Sequence, residues 1–171
     1  MHLNTNVDLL DNSFCTLTYS EAEQWLEATW CGHVDAQEAY RGAQAYLDHA
    51  ARMPSPFLLN DNSRLRGPWF ESLDWLADVW VPQAELLGLR YVAHIVQADL
   101  HRDILTARLN DKLPFELQIF QEVGDARHWL REMRRAYRVP VLGLLGHPQP
   151  VIIAEGQVVS SRKGRENGWP G

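Results

Sequence analysis

The densest run of chemically capable side chains is Asn60-Asp61-Asn62-Ser63-Arg64-Leu65-Arg66. Amide, carboxylate and hydroxyl groups there offer donors and acceptors, and two guanidinium forks can grip an anion or a carboxylate. Gln97 and Asp99, which follow the next apolar strand, would join the same rim. Asn60, Asp61, Asn62, Ser63, Arg64, Arg66, Gln97 and Asp99 are therefore the candidate partner- or ligand-binding set. Asx and Ser residues also build tight strand-to-helix turns, so a structural role competes with a functional one. His94 lies inside an apolar strand with no acid close to it in sequence, the setting of a hydrogen-bonded core histidine rather than a general base.

Reactive signatures are missing around these residues. Ser13, Ser20, Ser55, Ser63 and Ser72 include no Gly-x-Ser-x-Gly elbow, and no Gly-rich phosphate loop or dinucleotide fingerprint occurs. His94, Asp99 and His101 follow no ligand spacing, and Cys15 and Cys31 have no zinc partners and make no disulfide framework. No catalytic residue, metal or cofactor is assigned, and Glu21 with Glu23 reads as a solvated turn.

The elements that would carry the set follow from periodicity. Phe14 to Tyr19 and Trp25 to Trp30 read as a hairpin, and Asp35 with Glu38 opens a helix to about Arg52. Pro54 and Pro56 precede a strand, Phe57 to Asp61, and the polar stretch Asn62 to Gly67 reads as the loop into a second helix at Pro68. Trp69, Phe70, Leu73, Leu76, Ala77, Trp80, Ala84 and Leu87 form its apolar stripe, with a kink or break expected at Pro82. Tyr91 to Val96 reads as a doubly covered strand, Asp99 to Arg108 as a short helix, Phe115 to Phe120 as a fifth strand, and Ala126 to Met133 as the last amphipathic helix. The order is ββαβαβαβα: an α/β fold with a mixed, mostly parallel five-stranded sheet. Residues 1–12 read as an N-terminal arm, 13–138 as the domain, and 139–171 as an extension that is either a small hairpin or partly disordered.

Length and composition frame the function. At 171 residues with 46% hydrophobic side chains, one well-cored domain is expected. No apolar run is long enough to span a bilayer and the start lacks signal-peptide character, so a cytoplasmic protein is expected. Residues 1–126 hold 8 Lys and Arg against 19 Asp and Glu, whereas 127–171 hold 8 against 3. The acidic body disfavours nucleic acid, and the basic end has that body as its nearest partner. Of the seven tryptophans, Trp30, Trp69 and Trp80 are expected in the core and Trp75 partly exposed.

With its element order, the hairpin ending Trp30-Cys31-Gly32, the strand Phe57-Leu58-Leu59-Asn60-Asp61, and the closing Ile119-Phe120 with Ala126-Arg127-His128-Trp129-Leu130, the chain resembles the STAS and SpoIIAA-like superfamily over about residues 13–133. The resemblance implies a non-catalytic regulatory module that binds a protein partner or its own copy. Its alternative implication is a carrier of a small apolar ligand or lipid, in a cavity between the second helix and the sheet, as in the similar CRAL-TRIO fold; an enzyme comes third. The sequence departs from the phosphorylatable antagonists of that superfamily. Asp61 matches their strand-end acid, but Asn62 stands where the serine belongs and Ser63 comes one later, which argues against a phosphorylation switch.

Overall fold

Alternation in Phe14–Ser20 puts Cys15 and Leu17 on a buried face, as an extended backbone requires. The computed structural model, which describes residues 1–8, 11–96 and 113–138, has a strand there, β2, paired antiparallel with β3 (Trp25–His33). Residues expected as an arm form a further strand, β1 (His2–Val7), antiparallel to β2. Then come β4 (Phe57–Arg66), β5 (Tyr91–Val96) and β6 (Glu116–Phe120), parallel to one another and to β3. Among the described residues the sheet thus has six strands in the order β1-β2-β3-β4-β5-β6 rather than the expected five.

The expected loop at Asn62 to Gly67 is the main correction, because β4 continues to Arg66 beside β3. Between Thr29↔Asp61 and Cys31↔Arg64 the register slips by one residue, a bulge on β4. Asp61 Oδ1 accepts from the Ser63 amide there at 2.9 Å. The turn chemistry is present, but it shapes a bulge in an interior strand instead of ending the strand.

Helix α1 (Ala36–Ala50) begins with the expected capping box: Asp35 accepts from the Glu38 amide at 2.8 Å, and Glu38 accepts from the Asp35 amide at 2.9 Å. The stripe that was to form one kinked helix is a segmented helix, α2. It comprises a 3-10 turn Trp69–Ser72, an α turn Leu73–Trp75, a π-helical stretch Leu76–Trp80 and an α-helix Val81–Leu86. The Val81 amide reaches back five residues to Leu76, and Pro82 follows with no N–H to give. The break expected at Pro82 is thereby absorbed as a widened turn just before it.

Both sheet faces are covered. α1 and α2 pack on one, where an apolar cluster around Leu26, Leu58, Tyr46 and Val92 and a second around Trp30, Leu65, Trp69 and Val96 lie side by side. On the other face, α3 (Val123–Arg138) sets Ala126, Trp129 and Leu130 against Trp25, Phe57, Leu59, Ala93 and Ile95. Its basic face grips the β2–β3 turn. Arg127 pairs with Glu27 at 3.2 Å, Arg131 pairs with Glu23, and Arg134 donates to the carbonyls of Ala22 and Glu23. The start of the basic end thus contacts the chain's own acidic body, and Glu23 is ion-paired rather than solvated. The expected helix at Asp99 to Arg108 and the extension 139–171 lie outside the described residues.

Candidate functional site

Strand alternation decides where the candidate residues go. Leu58, Asn60 and Asn62 fall on the face under α1 and α2, and because the bulge shifts the phase, Leu65 rejoins them there. Register then sets Asn60 opposite His94. Asn62 is 4% exposed and His94 5%, whereas Arg64 and Arg66 are exposed, and Asp61 and Ser63 are half-buried. The expected set is therefore divided: Asn60 and Asn62 share an interior site, the two arginines face solvent, and Gln97 and Asp99 lie outside the described residues. Ser63 stands within a strand, not at a helix start.

Hydrogen bonds order the polar group. Trp30 Nε1 can only donate, and it does so to Asn60 Oδ1 at 2.9 Å. Asn60 Nδ2 must then donate to His94 Nδ1, also at 2.9 Å, which makes His94 the neutral tautomer with its proton on Nε2. That N–H faces the Asn62 amide 3.4 Å away, at the end placed as Nδ2. The other end of that amide, Asn62 Oδ1, is buried without a hydrogen-bond partner. His94 is thus a hydrogen-bonded core histidine, as its sequence setting implied.

These polar residues separate the two apolar clusters of that sheet face, and a cavity of about 120 Å³ lies where the clusters part. Ala28, Trp30, Leu58 and Val92 form its floor. Ala39, Gly42, Ala43 and Tyr46 come from α1, and Trp69, Leu73, Leu76, Trp80 and Val81 from α2. The π-helical stretch supplies part of this wall. Gly42 lets α1 approach, because a Cβ there would collide with the Trp30 ring. Trp80, half-buried rather than fully in the core as expected, is fixed by donating from Nε1 to the Ala43 carbonyl at 3.1 Å.

Among the described residues the lining contains no Asp, Glu, Lys or Arg. Besides the Asn60–His94–Asn62 group it holds the Tyr46 hydroxyl, which is buried without a hydrogen-bond partner and whose ionisation burial pushes to higher pH. The described part of the wall can dissolve an apolar body and hold a polar group, and it includes no charged acid or base. No group of three His, Cys, Asp or Glu suited to a metal occurs among the described residues, and none of their helices is long and apolar enough to cross a membrane. From sequence, the clue to the site was Asn60 and Asn62 alternating in phase with Leu58 and facing an apolar strand that contains His94. The assumed turn hid that phase.

No family model and no curated protein matches the chain. Among solved structures it is similar to an uncharacterized protein from the DUF3478 family with a SpoIIAA-like fold from Shewanella loihica PV-4, with a TM-score of 0.51 and 20% identity. The match covers 73% of this chain and 98% of that one. This chain has a SpoIIAA-like fold.

Proposed function

We propose that the domain is a non-catalytic binding module whose cavity, between α1, α2 and the sheet, takes up a small and largely apolar molecule. One observation carries the reading: an apolar chamber of about 120 Å³ whose wall includes buried polar atoms with no partner in the protein. A buried polar group left unpaired costs roughly 1–3 kcal/mol, a cost that a bound ligand can offset. Ligand pockets commonly combine a mainly apolar lining with a few fixed polar groups. The regulatory reading, with a protein partner or a second copy, rests on the family resemblance, and most of the loop it was expected to offer is part of strand β4.

Native mass spectrometry of the protein purified from cells tests the proposal, alongside a thermal-shift screen of ring-sized neutral compounds. An adduct or a stabilised melting transition is expected in the native chain and not in Ala28→Ile, which fills the floor of the cavity. Ligand-free spectra combined with a flat screen contradict it.

A further inference from the structure

Granted that the cavity binds a ligand, two groups on its wall specify what that ligand carries. The chamber is close to the roughly 150 Å³ at which an apolar protein cavity takes up benzene, so the body of the occupant is the size of one ring. Tyr46 and Asn62 both line it, at 3% and 4% exposed, and the Tyr46 hydroxyl and Asn62 Oδ1 are buried without hydrogen-bond partners. Asn60 is differently placed, because it already bridges the Trp30 indole and His94. Tyr46 comes from α1, where its ring packs on Trp80 with centroids 5.2 Å apart, and Trp80 in turn donates to the Ala43 carbonyl of the same helix. Burial pushes the ionisation of Tyr46 to higher pH, so at neutral pH it keeps its proton and can both donate and accept. Asn62 comes from β4, on the sheet side of the chamber. A single ring-sized occupant meets both.

We propose that the cavity is a site for a ring-sized alcohol or phenol, whose hydroxyl pairs with the Tyr46 hydroxyl and the Asn62 side-chain amide while its ring lies among Trp30, Trp69 and Trp80. Tyr46 by itself would take a donor or an acceptor. Asn62 narrows the choice, because its unpaired oxygen calls for a donor. A hydroxyl fills both roles with one group: its hydrogen goes to Asn62 Oδ1 and its oxygen accepts from Tyr46. It also suits the amide turned end for end, since its oxygen has a second lone pair to accept an N–H. An ether or a ketone brings no donor, and a hydrocarbon leaves both wall groups unpaired.

The test compares phenol with toluene, which replaces the hydroxyl by a methyl at nearly constant shape, and with anisole, which keeps the oxygen and loses the donor. Dissociation constants are read from 15N titrations at pH 7 in the native chain, in Tyr46→Phe and in Asn62→Leu. The expected result is that the native chain prefers phenol, that each variant weakens phenol about tenfold, and that Tyr46→Phe leaves toluene unchanged or tighter. Tyr46→Phe removes a single oxygen atom. Should Asn62→Leu fail to fold, the side-chain amide signals of Asn62 in the native chain give the same answer: phenol shifts them and toluene does not. If phenol and toluene bind and respond alike, the cavity is a ligand site but the hydroxyl assignment is overturned. Anisole binding more tightly than phenol overturns it as well. If no compound binds at all, the binding proposal itself fails.

Discussion

At the scale of single residues, burial and pairing set the reactivity of the interior. Cys15 is 6% exposed, and removal from water pushes its thiol up to about 12. Its thiolate is therefore scarce at neutral pH, and iodoacetamide at pH 8 should leave Cys15 unmodified in the folded protein and label it once denaturant is added, as peptide mass spectrometry would show. Rapid labelling of the native chain would place Cys15 outside the core. The chain of bonds from Trp30 through Asn60 to His94 makes a sharper prediction. Asn60→Leu strips both the indole N–H and His94 Nδ1 of a partner, and should cost about 1–3 kcal/mol in denaturant unfolding. A loss within error would mean that the two groups find other partners and that the tautomer argument lacks its anchor.

At the scale of elements, close approach and surface pairing separate clearly in magnitude. Gly42→Ala drives a methyl into the Trp30 ring and should destabilise the fold by about 1–3 kcal/mol, the usual cost of overpacking, whatever Ala adds in helix propensity. The ion pair between α3 and the β2–β3 turn is worth less. The hydrogen bond from Arg131 chiefly holds the Glu23 carboxyl below its usual range, so its stabilisation is complete above the unfolded value near 4.5 and disappears as pH falls through the folded one. Arg131 is 41% exposed, and solvent screening keeps the contribution small. Glu23→Gln should accordingly lower the urea midpoint slightly at pH 7 and have no effect well below pH 4.

The same scale shows what could be read from the chain. The hairpin, the capping box of α1, β5 and the final helix were legible because their periodicity and caps agree with their burial. β1 was not, since in His2–Val7 only Leu3 packs against the core and an edge strand of that kind shows little apolar alternation. β4 was cut short because Asn62 and Ser63 carry the chemistry of a turn, and the partner strand β3 decides that they stay extended. That truncation also misplaced the site. With β4 continued, Asn60 and Asn62 move from a surface rim to the interior beside His94, while Arg64 and Arg66 remain outside.

At the scale of the whole molecule, the sheet divides the described domain into two unlike halves. The face under α3 is closed and apolar, whereas the face under α1 and α2 is interrupted by polar residues and a cavity. Filling that gap should stabilise the empty protein while removing its capacity to bind. Ala28→Ile should raise the melting temperature by about 2–4 °C for each kcal/mol gained. The tryptophans report on the two halves separately, since Trp30 and Trp80 line the cavity and Trp25 and Trp129 pack on the opposite face. The most direct test is a 15N titration with phenol and, in parallel, toluene, following the indole N–H signals. At least one compound should shift Trp30 and Trp80 saturably and leave Trp25 and Trp129 in place. Shifts confined to Trp25 and Trp129, or none at any indole with either compound, would contradict a ligand cavity beneath α1 and α2.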